Sequence, residues 1–152
     1  ARPGKQVLVF MGDGGMGIGG MDVETAVRYN LPVVFLVNNN SEWMTGTYDM
    51  YFKAYYGAEN NWNITPGVRY DKMFEATGCH GENVERPEEI RPALERAFNS
   101  GKPAVVNVVV DPKVMHKGMM LNMGQPDIGW LEPEQVPEAG RKIIFRDRGP
   151  KS

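Results

Sequence analysis

Two short apolar runs on either side of a helix-length stretch constrain this chain more than any other feature. Val7, Leu8, Val9 and Phe10 form the first run, and Val33 to Val37 form the second. Each is a few residues long, rich in valine and closed by turn residues, which predicts two buried strands. Between them, Gly12-Asp13-Gly14-Gly15 reads as a glycine-rich turn, and Gly20 to Tyr29 as a helix stopped by Leu31-Pro32. Two buried strands joined through a helix make a right-handed parallel unit, so both strands end on one edge of the sheet. Asp13 and Asn40, the last of Asn38-Asn39-Asn40, are then neighbours on the edge where open α/β sheets bind ligands.

The residue types on that edge point to a definite chemistry. A carboxylate and a carboxamide oxygen are hard ligands suited to Mg²⁺ or Ca²⁺. Mg²⁺ takes few protein oxygens and leaves its other positions to water and phosphates. Gly14 and Gly15 allow backbone N–H groups to approach a phosphate, which a nearby helix N-terminus also favours. A metal-bound diphosphate is the expected ligand. A Gly-Asp-Gly alone favours an ordinary strand–turn–helix in which Asp13 is a cap and the asparagines make turns.

Composition narrows the partners. The chain has 152 residues and an apolar content of 41%, enough for one globular core. A formal net charge of −2 and the lack of any lysine/arginine cluster speak against nucleic acid. No apolar run approaches the ~20 residues that span a bilayer, and no signal-peptide pattern is present, so a cytoplasmic protein is expected. The single Cys79 excludes an internal disulfide, and His80 and His116 have no zinc or iron–sulfur spacing.

Further along, residues 41–68 form a long connection rich in aromatics, with Trp43, Trp62 and four of the six tyrosines. Such a connection is a candidate lid or pocket wall. Arg69 to Thr77 predicts a short helix with Tyr70, Met73 and Phe74 on one face, ended by Gly78. Cys79 to Val84 predicts an edge-like strand. Pro87-Glu88-Glu89 starts a helix whose Ile90, Leu94, Ala97 and Phe98 share a face, and Ala104 to Val110 predicts a fully buried strand. Residues 1–112 are therefore expected to form an α/β domain of parallel strands flanked by helices. Residues 113–152, with Met115, Met119, Met120 and Met123, read as a C-terminal arm or lid. Gly12 comes early for a doubly wound domain, as though a first strand and helix were missing, which suggests the C-terminal part of a longer chain.

With the strands, the glycines and the Asp13-to-Asn40 spacing in agreement, the pattern resembles the diphosphate motif of thiamin diphosphate (ThDP)-dependent enzymes. The resemblance is closest to the branch of 2-hydroxyacyl-CoA lyases and oxalyl-CoA decarboxylases. It is carried by Gly20-Met21-Asp22-Val23-Glu24-Thr25, Arg28-Tyr29-Asn30-Leu31-Pro32, Asn38-Asn39-Asn40, Arg69-Tyr70-Asp71-Lys72-Met73 and the stretch from Gly101 to Pro112. Acetolactate synthases share much of the pattern. The resemblance implies Mg²⁺ held by Asp13, Asn40 and the backbone carbonyl of Glu42, and ThDP contacted by Gly12, Gly14, Gly15, Trp43 and Met44. It implies an acyl-CoA substrate and a homodimer or homotetramer in which another subunit's pyrimidine-binding domain activates the cofactor. Cleavage of a 2-hydroxyacyl-CoA to formyl-CoA and an aldehyde or ketone is the expected reaction. The alternatives are oxalyl-CoA decarboxylation, acetolactate synthesis, a split-subunit 2-oxoacid decarboxylase, and a noncatalytic interaction domain that keeps the fold. The branch usually has small residues and an Ile-Tyr pair where Ser41-Glu42-Trp43-Met44 stands here. The Glu42 carboxylate is thus an additional acid or base beside the metal, and a candidate catalytic group.

Overall fold

A computed structural model describes residues 4–43 and 63–112. The chain divides into two units, and all of these residues except Pro112 belong to the first, described below. Met44, the rest of the aromatic connection to residue 62, and the expected arm at 113–152 lie outside the described residues.

The elements run β1 (Val7–Gly12), α1 (Asp13–Gly19), α2 (Asp22–Arg28), β2 (Val33–Asn39), α3 (Tyr70–Glu75), β3 (His80–Val84), α4 (Pro87–Asn99) and β4 (Ala104–Val109). The four strands form one sheet in the order β1-β2-β4-β3, and every neighbouring pair is parallel. Gly12 is in register with Asn38, so the residues that follow β1 and β2 leave the sheet at the same level. This is the parallel sheet flanked by helices that the sequence predicts.

Strand alternation divides the core into two layers. Phe35, Val37 and Val105 pack with Met16, Val23, Ala26, Tyr70 and Phe74 from the α1–α2–α3 side. Val34, Leu36, Ala104, Val106 and Val108 pack with Ala93 and Ala97 of α4, whose larger Ile90, Leu94 and Phe98 are only partly buried. Val34, Val37, Val105 and Val106 are buried completely or nearly so, at roughly 1.5–3 kcal/mol of transfer free energy each. Pro87 at the start of α4 loses no intrahelical bond, and Glu88 and Glu89 suit the positive end of the helix.

Three expectations are corrected. Helix α1 begins at Asp13 itself, so Gly14 and Gly15, assigned to a turn, are helical while Gly12 ends β1, and α1 and α2 replace the single helix expected from Gly20. Glycine is a poor helix former, costing about 1 kcal/mol against alanine, and tertiary packing overrides it: Met16 of α1 is 2% exposed. Strand β1 is not buried on both faces. Val9 and Met11 pack against the α1–α2–α3 core, but Leu8 and Phe10 face the α4 side and are 48% and 70% exposed. The cause is strand order among the described residues, where β1 is an edge strand and α4 packs over β2, β4 and β3. Of Tyr70, Met73 and Phe74, expected on one face, Tyr70 and Phe74 are buried but Met73 is exposed.

Candidate functional site

The site grows from the shared edge of β1 and β2. Where β1 ends, Asp13 opens α1 and is buried, at 2% exposure. Where β2 ends, Asn40 begins a tight turn in which the Glu42 N–H donates to Asn40 Oδ1 at 3.3 Å. Ser41 takes a left-handed backbone conformation, φ 59°, which turns the chain back on itself. The turn is tied to the far end of the connection: Ile64 N–H donates to the Ser41 carbonyl at 2.8 Å, and Glu42 bridges to Asn63.

Asp13 and this turn meet. The Asp13 carboxylate accepts the Gly14 N–H at 2.9 Å and also lies against the backbone N–H groups of Ser41 and Glu42. The Glu42 amide thus stands between the side-chain oxygens of Asp13 and Asn40. Burial pushes the Asp13 carboxyl above its ordinary range, opposed by those backbone donors. Burial also raises the Tyr70 phenol, and the Asp13 charge adds to the shift, which places Tyr70 in the field of the same carboxylate. Two oxygens are left over. Asp13 Oδ2 and Glu42 Oε2 are both buried without a hydrogen-bond partner. A buried anionic oxygen without a partner is costly, and a cation is the partner such oxygens call for. Among the described residues no three His, Cys, Asp or Glu side chains converge, and the side-chain oxygens at this edge are the carboxylates of Asp13 and Glu42 and the carboxamide of Asn40. That is a set suited to Mg²⁺ rather than to a softer metal.

Of the residues singled out in the sequence, Asp13, Gly14, Asn40, Glu42 and Trp43 come together here. The reason for Gly14 differs from the expected one. Its N–H is engaged by Asp13, and a Cβ on it would stand 2.9 Å from the Trp43 ring, so glycine at this position lets the indole close over the start of α1. Gly12 lies beside the Asn38 carbonyl, and Gly15 is exposed with room for a side chain. Met44 is outside the described residues. Four residues of this neighbourhood were given no role there in the sequence: Ser41, Asn39, Tyr70 and Gly20. A Cβ on Gly20 would stand 2.6 Å from both the Met16 carbonyl and the Phe74 ring, so Gly20 sets how closely α1 approaches α3.

Comparison with known proteins gives the family. Residues 1–108 match the family described as "Thiamine pyrophosphate enzyme, C-terminal TPP binding domain". A Mycobacterium bovis protein described as a probable acetolactate synthase is 48% identical over 116 residues, covering 76% of this chain and 21% of the relative. A 2-hydroxyacyl-CoA lyase of Oryza sativa subsp. japonica is 41% identical over 115 residues, covering 74% of this chain and 20% of the relative. Among solved structures, the thiamine diphosphate-dependent 4-hydroxybenzoylformate decarboxylase of Rhodococcus jostii RHA1 superposes with a TM-score of 0.63 at 25% identity, covering 72% of this chain and 20% of that one. The chain thus spans about a fifth of the length of the curated relatives it matches. With a parallel sheet whose β1 and β2 lead into the buried Asp13 and the half-buried Asn40–Glu42 turn at one end, the chain belongs to the thiamin diphosphate enzymes, as their C-terminal, thiamine pyrophosphate-binding domain.

Proposed function

We propose that this chain is the diphosphate-binding part of a ThDP- and Mg²⁺-dependent carbon–carbon lyase that cleaves a 2-hydroxyacyl-CoA to formyl-CoA and an aldehyde or ketone. The observation that carries the metal assignment is the buried, partnerless Asp13 Oδ2 beside the Asn40–Glu42 turn. Asp13, Asn40 and the backbone carbonyl of Glu42 would hold the cation, which would neutralise the diphosphate of a cofactor supplying a carbon nucleophile and an electron sink.

What remains is the work of the protein's own groups. The Ser41 turn orients the Glu42 carbonyl, and Trp43, packed on Gly14, keeps water from the buried carboxylate. The Glu42 side chain, with its partnerless Oε2, carries a proton to or from the reacting carbon. A pyrimidine-binding domain from another subunit completes the site, so the assembly is a homodimer or homotetramer. Glu42→Gln in the full-length protein is expected to lower turnover at least about a hundredfold, the ordinary contribution of a positioned acid or base, with ThDP affinity little changed. Unchanged turnover removes Glu42 from the chemistry.

One rival reading has its own support. The 48% identity to a protein described as a probable acetolactate synthase exceeds the 41% to the lyase and favours condensation of 2-oxoacids. The full-length protein with ThDP and Mg²⁺, given a 2-hydroxyacyl-CoA, oxalyl-CoA or pyruvate in turn, separates the readings. Formyl-CoA with an aldehyde or ketone supports the lyase, formyl-CoA with CO₂ the decarboxylase, and acetolactate the synthase.

A further inference from the structure

Strand β4 reads Ala-Val-Val-Asn-Val-Val, and its one polar side chain, Asn107, is 0% exposed in the middle of the sheet. A buried carboxamide costs stability unless its donors and acceptor are satisfied, and a valine would fill a β-strand position without that demand. Asn107 is satisfied by two other asparagines. Its Nδ2 donates to Asn83 Oδ1 at 2.8 Å, directly across from it on β3, and its Oδ1 accepts from Asn39 Nδ2 at 3.0 Å, at the end of β2.

The row continues at both ends. Asn39 Oδ1 accepts the Ser41 N–H at 3.2 Å, and Asn83 Nδ2 donates to Glu85 Oε1 at 3.0 Å. Every link runs the same way: Ser41 donates to Asn39, Asn39 to Asn107, Asn107 to Asn83, and Asn83 to a carboxylate. Such a head-to-tail row polarises along its length, each bond strengthening the next. The second N–H of Asn39 donates to the Val68 carbonyl at 3.0 Å. One carboxamide therefore grips both ends of the 41–68 connection, at Ser41 where it leaves the sheet and at Val68 where it returns.

Ser41 is also the residue held in the left-handed conformation, and on its two sides stand Asn40 and Glu42. We propose that Asn107 is a positioning residue: acting through Asn39, it holds the Ser41 turn in the conformation that presents Asn40 and the Glu42 carbonyl to the cation. This rests on the metal assignment made above. Asn83 extends the row to the far edge strand, so the cation-holding turn is braced across three strands without any of the three asparagines touching the cation.

The test is Asn107→Leu, which keeps the number and branching of the side-chain heavy atoms and removes their hydrogen-bonding groups, made in the full-length protein. Mg²⁺ is titrated at saturating ThDP, with tryptophan fluorescence as the signal, and Tm is measured without ligands. Asn83→Ala, at the half-buried outer end of the row, is measured alongside and does not disturb the centre of the sheet if Asn107→Leu fails to fold. Asn107→Leu is expected to weaken Mg²⁺ binding about tenfold or more, as loss of an outer-shell partner does. Asn83→Ala is expected to weaken it about twofold. Val106→Ala serves as the packing control, with Tm lowered and Mg²⁺ affinity kept. A lowered Tm with wild-type Mg²⁺ affinity in both asparagine variants overturns the positioning role. Failure of the underlying metal assignment shows separately, as wild-type Mg²⁺ affinity in Asp13→Asn.

Discussion

Ser41 carries the geometry of the site on a backbone conformation that L-residues other than Asn, Asp and Gly seldom adopt. Such outliers persist where their surroundings over-determine them, and here they do: Asn39 accepts the Ser41 N–H, Ile64 donates to its carbonyl, and Asp13 lies against the same amide. The small serine side chain bears the strain; a β-branched one does not. Ser41→Gly is expected to keep Mg²⁺ affinity and stability within about 1 kcal/mol, because relief of strain offsets the added freedom of the unfolded chain. Ser41→Val is expected to cost about 1–3 kcal/mol in the turn and to weaken Mg²⁺ binding tenfold or more at saturating ThDP, read by calorimetric titration of the full-length protein. Equal affinities in the two variants would mean that the φ of Ser41 is not what the cation requires. Neither Ser41 nor Asn107 announces this in the sequence. A serine after three asparagines looks like one more turn residue, and the link to Asn107 depends on parallel register. The available hint was the lone asparagine inside Ala-Val-Val-Asn-Val-Val-Val.

Elements were legible where periodicity and turn chemistry decide alone. The runs at Val33 and Ala104 are strands, Pro87 starts a helix, and Gly78, at φ 98°, ends the segment that began at Arg69. Two features depend on tertiary context and were not legible: a helix through Asp13-Gly14-Gly15, and an outer strand with Leu8 and Phe10 uncovered among the described residues. Helix α3 is held at its first turn by a pair whose partner lies just before it. Arg69 Nε donates to Asp71 Oδ1 at 2.8 Å and Arg69 Nη2 to Oδ2, with Asp71 1% exposed. Burial alone would raise the Asp71 carboxyl, but the hydrogen bonds and charge of Arg69, with the Lys72 N–H, hold it below its ordinary value. A depressed carboxylate contributes stability above its unfolded pKa and loses it as pH falls through its folded pKa. Asp71→Asn is expected to cost about 1–2 kcal/mol at neutral pH, less than a fully buried pair because Arg69 is half exposed. Its cost should shrink as the solution is acidified below the ordinary carboxylate range. Urea melts of the metal-free protein from neutral to acid pH check this, and a cost that stays constant with pH would assign the contribution to packing.

At the scale of the whole molecule, the fold carries an edge with two buried carboxylate oxygens that have no hydrogen-bond partner among the described residues, which the proposed cation would supply. Parallel pairing of β1 with β2 brings Asp13 and the Asn40–Glu42 turn to the same end of the sheet, where Asp13 is buried. The same burial that sharpens electrostatics there leaves Asp13 Oδ2 and Glu42 Oε2 without partners. A site of this kind trades ligand-free stability for affinity, and the trade has a sign that can be measured. In the full-length protein without ligands, Asp13→Asn is expected to melt at or above the wild-type temperature, because it removes a buried charge whose Oδ2 has no hydrogen-bond partner and keeps an acceptor for the Gly14 N–H. With Mg²⁺ and ThDP the order reverses. Ligands at a hundred times their dissociation constant add about 2.7 kcal/mol to any protein that binds them only when folded, so the wild type gains several degrees. Asp13→Asn gains none, and chelation of Mg²⁺ by EDTA returns the wild type to its ligand-free value. A ligand-free Asp13→Asn that melts well below the wild type would show that the carboxylate stabilises the fold by itself. The partnerless Oδ2 would then no longer argue for a cation at the joint end of β1 and β2.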